Sequence, residues 1–280
     1  MILVTGAKGQ VGGDVCRVLQ ARNLNFWGID LDDFDLTNEK EVESIFKEKT
    51  IDALIHCAAY TAVDKAESEE KLCMKVNAEA VRYLAKNCQA NKAKFLLVST
   101  DYVFSGDGEL PFETDGEIKP LSVYGKSKQL AEKYARTLCD SFFVVRTSWV
   151  FGEKNTNFIN TMLNLSGKLD EVKVVCDQVG SPTYSNDLAK LLCDIILTDK
   201  FGVYHATNEN FTSWDKLAQF TFDYAKKSTK VTPIKTKQYP TPAKRPLNSR
   251  LSKKSLVENG FDLLPTWQDA VVRYLGNVLL

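Results

Sequence analysis

The chain has 280 residues, 44% hydrophobic and 26% charged, and its lysines plus arginines equal its aspartates plus glutamates at 36 each. That length buries a large core, in one domain or in two unequal lobes. The neutral balance removes any general electrostatic case for nucleic acid or an anionic membrane as partner.

The chain opens with an apolar run, Ile2-Leu3-Val4, followed by Gly6, Gly9 and Gly12 at three-residue spacing. An amphipathic stretch then runs from Val11 through Val15, Val18 and Leu19. This pattern predicts strand, glycine turn, helix. Glycines there allow a tight turn and the close approach of a pyrophosphate, and the helix N-terminus offers unpaired N–H groups with partial positive charge. A glycine triplet alone also fits an ordinary packed turn. Asp30 adds to it: 18 residues past Gly12, it ends the next apolar run (Phe26, Trp27, Ile29), where an acid can hydrogen-bond a ribose.

Alternation continues with a helix over 39–47, a strand over 52–57, and a long helix over 69–90 that puts Leu72, Val76, Ala80, Leu84 and Cys88 on one face. A strand over 94–99, a Gly/Pro/Asp-rich loop over 105–121, a helix over 124–139 and a strand over 142–146 follow. Short apolar runs separated by helices predict an α/β fold with a doubly wound parallel sheet, the Rossmann arrangement, as a dinucleotide-binding domain over 1–150. After Trp149 the pattern loosens. Helices are expected over 157–165, 185–197, 213–225 and 265–279, short strands over 172–175, 203–206 and 231–235, and loops over 177–184 and 239–250. Residues 151–280 read as a smaller, interleaved substrate-binding lobe that lends later elements, from about 170–205, to the sheet.

The seven cysteines are widely spaced with no C-x-x-C pair, and His56 and His205 are the only histidines. A disulfide framework and a zinc site are both disfavoured, and a reducing compartment is expected. No leader-like or membrane-length apolar segment is present, so the expected location is the cytoplasm.

Ligands of open α/β sheets lie beyond the C-terminal strand ends. Three predicted ends carry polar clusters: Ala58-Ala59-Tyr60-Thr61 with Asp64, Ser99-Thr100-Asp101-Tyr102, and Arg146-Thr147-Ser148-Trp149. Each alone reads as a polar loop; together they predict a site. Tyr124 and Lys128 lie four apart on a helix and share a face. A nearby ammonium favours the phenolate, so Tyr124 is expected to have a lowered pKa and to protonate a ketone oxygen as hydride reaches the carbon. Lys128 is placed to hold a cofactor ribose as well.

Seven stretches carry a resemblance to a known family: Thr5–Gly12, Ala58–Glu67, Ser99–Phe104, Tyr124–Lys128, Arg146–Val150, Asp177–Thr183 and Tyr239–Arg250. Through them nearly the whole chain resembles the extended short-chain dehydrogenase/reductases, and within these the branch that reduces dTDP-4-dehydrorhamnose. The last two stretches, in the substrate half, are more specific than the glycine motif. The resemblance implies NADPH- or NADH-dependent reduction of the C4 ketone of dTDP-4-dehydro-L-rhamnose to dTDP-L-rhamnose for surface polysaccharide. It implies Tyr124 as general acid, Lys128 as its partner and Thr100 as support for the reacting oxygen. Gly6, Gly9, Gln10, Val11, Gly12, Asp30, Asp35, Leu36, Ala58, Ala59, Tyr60 and Thr61 match cofactor positions. Asp101 and Trp149 match sugar contacts, and Arg245 and Arg250 suit a nucleotide diphosphate. Asn77 is a candidate for ordering a relay water. Asp30 favours NADH, while Lys8 suits a 2′-phosphate. Some family members are Mg²⁺-dependent homodimers, but the sequence offers no metal-ligand cluster. Related dehydratases call for an acidic pair after the threonine; here Tyr102 follows Asp101, which disfavours dehydration. A 4-epimerase and a non-catalytic subunit remain as alternatives.

Overall fold

The computed structural model describes residues 1–154 and 156–279. β1 (Ile2–Thr5) leads through the glycine turn into α1 (Gln10–Ala21), then β2 (Phe26–Ile29), α2 (Glu39–Glu48) and β3 (Ala53–His56). Next come α3 (Val63–Ala66), α4 (Glu70–Met74), α5 (Ala80–Ala90), β4 (Lys94–Thr100), α6 (Val123–Leu138) and β5 (Phe142–Thr147). Then follow β6 (Val150–Phe151), α7 (Phe158–Ser166), β7 (Glu171–Val175), β8 (Val179–Gly180), β9 (Thr183–Tyr184), α8 (Ser185–Ile196) and β10 (Gly202–His205). The C-terminal part holds β11 (Thr212–Ser213), α9 (Trp214–Tyr224), β12 (Lys230–Ile234), β13 (Asn248–Ser249), α10 (Lys254–Glu258) and α11 (Trp267–Val278).

Six strands form one sheet in the order β10-β5-β4-β3-β1-β2, and every pairing in it is parallel. The register explains the apolar runs. Leu3, Leu54 and Phe95 lie side by side and pack into a core with Val42, Leu84 and Ala131. One residue further along, Val4, Ile55, Leu96 and Phe143 face the opposite way, into a core with Val15, Leu19, Leu188 and Leu192. A sheet buried on both faces needs apolar side chains at successive positions.

The helix expected over 69–90 is interrupted by a π-helical turn, Lys75–Glu79, between α4 and α5. The wider turn shifts the inward face by one residue. Cys73, Asn77 and Val81 therefore point inward, while Leu72, expected on the apolar face, is 47% exposed.

Of the later sheet elements, β10 joins the main sheet, whereas β7 pairs with β12. The loops expected over 177–184 and 239–250 contain β8, β9 and β13, each two residues long and too short to show a period-two pattern. α8 packs on α1 beneath the main sheet, which interleaves the two halves. Among the described residues no helix is long and apolar enough to cross a membrane.

Candidate active site

A cleft of about 790 Å³ runs along the C-terminal ends of β1 to β5. Its floor at one end is the β1–α1 turn. Gly6 has φ +70°, and a Cβ there would come within 2.7 Å of the Ala58 nitrogen. A Cβ on Gly12 would lie 2.2 Å from the Gly6 carbonyl oxygen. Both positions demand glycine. Gly9 caps α1 with no side-chain hydrogen bond, so the first-turn N–H groups lack a side-chain partner. A backbone cradle that any Cβ would fill, at an uncapped helix N-terminus, fits a pyrophosphate.

Asp30 lies beside this turn and accepts hydrogen bonds from the backbone nitrogens of Lys8 (2.8 Å) and Leu31 (2.8 Å). The Lys8 ammonium pairs with Asp32 at 2.6 Å. Asp35 is held below its ordinary carboxyl value by hydrogen bonds from the Thr37 hydroxyl and backbone nitrogen. Leu36, Ala58, Ala59 and Thr61 complete this part of the wall.

At the centre stand Thr100, Tyr124 and Lys128, all on the cleft. Ser122 caps α6 by accepting a hydrogen bond from the Gly125 nitrogen at 3.1 Å, which fixes where Tyr124 and Lys128 emerge. The Lys128 ammonium is buried and donates to the Val98 carbonyl at 2.8 Å. Burial brings its pKa down to about 8, with Glu132 opposing. Burial also raises Tyr124 above its ordinary value, with Thr100 pulling the other way. The lowered phenol expected from the Tyr–Lys spacing is therefore not found: loss of water, helped by the nearby Asp101 charge, outweighs the Thr100 hydrogen bond. Asp101 is buried, its carboxyl pushed up to about 6 by burial with Ser249 and Thr100 opposing.

The family model for the RmlD substrate binding domain matches residues 1–280. The dTDP-4-dehydrorhamnose reductase of Aggregatibacter actinomycetemcomitans is 39% identical over 284 aligned positions, covering 96% of each chain. The chain belongs to the dTDP-4-dehydrorhamnose reductase family. Another relative, the spore coat polysaccharide biosynthesis protein SpsK of Bacillus subtilis, is 33% identical, with 98% of this chain and 96% of that protein covered. The crystal structure of dTDP-4-dehydrorhamnose reductase from Bacillus anthracis in complex with NADP superposes with a TM-score of 0.96 at 35% identity, covering 99% of each chain.

In this member of the dTDP-4-dehydrorhamnose reductase family, Asp101 and Trp149 reach the same cleft as the glycine turn. Three sequence candidates meet other partners. The Tyr60 hydroxyl donates to Glu69 at 2.5 Å, which pushes the phenol up to about 12, and only its backbone is held near the cleft. Arg245 is forked onto Asp64 at 2.9 and 2.7 Å. Arg250 donates to Asn248 at 2.9 Å and lies over the Phe211 ring. Neither arginine is among the residues lining the cleft, and Arg245 would have to leave Asp64 to make a bidentate grip on a diphosphate. The Asn77 amide is fully engaged: its oxygen accepts from the Tyr60 nitrogen (2.7 Å), and its nitrogen donates to the Tyr60 carbonyl (3.1 Å) and the Ser127 hydroxyl (2.9 Å). It ties the Ala59–Thr61 wall to α6 through the π-helical turn.

The sequence reading missed His56, whose Nδ1 meets the Thr5 hydroxyl at 2.7 Å and whose buried Nε2 has no hydrogen-bond partner. It lines the cleft, and burial with the Lys128 charge brings its pKa down to about 3. Its position at a strand end was the available signal. Trp214 and Ser249 were also missed, because only the folded chain brings them to Trp149 and Asp101; Asp64, read from the sequence as part of the cluster after β3, is found paired with Arg245. Among the described residues no group of three or more His, Cys, Asp or Glu side chains is placed to hold a metal ion.

Proposed function

We propose that the protein reduces the C4 ketone of dTDP-4-dehydro-L-rhamnose to dTDP-L-rhamnose, with Tyr124 as the general acid. It is an NAD(P)H-dependent oxidoreductase of dTDP-rhamnose biosynthesis. The observation that carries the reading is the meeting of Thr100, Tyr124 and Lys128 in one cleft with the Gly6–Gly12 cradle. Bound in that cradle, a nicotinamide cofactor supplies hydride. The raised Tyr124 phenol stays protonated at neutral pH and has a proton to give. Thr100 and the Lys128 ammonium favour the phenolate left behind. Asp101 and Trp149 hold the sugar. Asp30 accepts from a ribose hydroxyl, and the adjoining Lys8 leaves room for NADPH as well as NADH. The name of the SpsK relative supports a destination in surface polysaccharide. A cytoplasmic homodimer completes the reading.

The test follows NADPH and NADH absorbance with dTDP-4-dehydro-L-rhamnose generated in situ, with and without Mg²⁺. Oxidation matched by formation of dTDP-L-rhamnose is the expected result and ranks the two cofactors. Cofactor binding with no net oxidation would overturn the reading in favour of an epimerase or a non-catalytic subunit.

A further inference from the structure

We infer that Trp214 is a positioning residue that holds the Trp149 indole as an apolar wall for the sugar of the nucleotide substrate, an inference that rests on the reductase reading above. Trp149 lines the cleft in a backbone conformation, φ +50°, that a bulky side chain adopts only when its surroundings hold it there. Both flanks are pinned. The Ser148 hydroxyl donates to the Ser181 carbonyl at 3.0 Å, and the Trp149 carbonyl accepts from the Thr183 nitrogen at 3.1 Å.

The ring is fixed as firmly as the backbone. Trp214 stacks on it with centroids 3.7 Å apart and planes 16° from parallel. A Cβ on Gly180 would lie 3.0 Å from the Trp149 ring, so glycine is what lets the indole settle there. Trp214 is itself held at both ends. Its Nε1 donates to the Gln178 side-chain oxygen at 3.1 Å, the Gln178 amide donates to the Thr236 hydroxyl at 3.2 Å, and Phe158 packs on its ring at 4.6 Å. Gln178, which links Trp214 to Thr236, is itself buried, at 6% exposed.

An indole backed in this way gives the cleft a rigid, largely apolar wall. Its apolar carbons fit the C–H face and C6 methyl of a 6-deoxyhexulose, and the hydroxyls are left mainly to Asp101 and Thr100, which share the cleft. The wall therefore selects the sugar and leaves the cofactor untouched. Trp214 does this without touching the substrate.

The experiment measures KM for the sugar nucleotide, kcat and NADPH affinity for wild type, Trp214→Ala and Trp214→Phe, with circular dichroism of the coupled indole pair as a direct reading of the stack. The wild-type assay comes first. Absence of turnover there overturns the reductase reading itself, before any variant is made. With wild type active, Trp214→Ala is expected to lose the exciton signal and raise KM by about fivefold to tenfold, the scale of one aromatic contact. NADPH affinity stays at the wild-type value, and Trp214→Phe recovers most of the KM. An unchanged KM after loss of the exciton signal would overturn the inference. So would a fall in NADPH affinity as large as the rise in KM, which would mark Trp214 as general scaffolding.

Discussion

At the β1–α1 turn a single added methyl group would meet a backbone oxygen at 2.2 Å, whereas across the cleft Arg245 and Asp64 meet as two partly exposed side chains. The β1–α1 end of the cleft, proposed to hold the cofactor, is built from backbone: strand ends in register, a glycine turn, an uncapped helix start. Where residues 151–280 close onto that frame the site is built from side chains, namely the stack of Trp214 on Trp149, the Gln178 amide and the fork of Arg245 on Asp64. Backbone geometry tolerates almost no change, because a peptide oxygen cannot swing aside. Side-chain walls can yield, so their loss should cost affinity in steps rather than abolish function.

The largest expected effect lies where the two parts meet. Tyr124→Phe keeps the ring and removes the proposed proton donor, so turnover should fall by about 10²- to 10⁴-fold. NADPH affinity, measured by fluorescence titration, should stay near wild type, since the cradle is untouched. Wild-type turnover in this variant would remove the general-acid role.

Next comes Gly12→Ala, a direct challenge to the backbone half. The new Cβ meets the Gly6 carbonyl, which is itself locked against Ala58. Thermal unfolding should show a loss of about 1–3 kcal/mol, as for overpacking elsewhere, together with greatly weakened cofactor binding. Undiminished NADPH affinity would show that the turn can relax and that the contrast between the halves is overstated.

A smaller effect appears as a crossed pH dependence. Burial holds Lys128 at about 8 in the folded protein, against an ordinary value of 10.5. Above about 8 the native chain loses this proton while the unfolded chain still binds it, so this group makes stability rise with pH up to about 10.5. In the proposed mechanism the active form carries the ammonium, so kcat/KM should fall as pH rises above about 8. Comparison with Lys128→Met isolates the group: denaturation midpoints of wild type should gain on the variant as pH rises from 8. Parallel midpoints would mean that the buried amine titrates normally. The same variant should lose both turnover and cofactor affinity.

How much of this was legible in the sequence follows the same division. Leu3 and Val4 alternate between two cores, so the parallel sheet shows as unbroken apolar runs, and all of its strands were readable within a residue or so. The Gly6–Gly12 turn was legible from its setting, between the Ile2–Val4 apolar run and an amphipathic stretch and with Asp30 ending the next run, and not from the glycine triplet alone. The π-helical turn was not, because one extra residue per turn leaves no mark on composition, and Leu72 was placed on the wrong face as a result. The rise of the Tyr124 pKa was hidden for another reason: i, i+4 spacing shows the ammonium but not the depth of burial. Trp214, 65 residues beyond Trp149, had no local signal at all.

The smallest effect separates two readings of Arg245. Its side chain is 27% exposed and that of Asp64 40%, so the fork should add no more than about 1 kcal/mol to stability after solvent screening. If Arg245 serves the substrate diphosphate, Asp64 competes with it, and Asp64→Asn should free the guanidinium and lower KM. If the fork instead straps the 239–250 loop over the cleft, Asp64→Asn and Arg245→Ala should both raise KM, by about twofold to fivefold. The Ala243 nitrogen also donates to Asp64, at 3.2 Å, so the carboxylate holds the loop's backbone as well as its arginine. That second contact favours the strap, and dTDP titrated into the two variants by calorimetry should show matching losses. A tighter complex with Asp64→Asn would return Arg245 to the diphosphate and leave the loop to be held by its backbone alone.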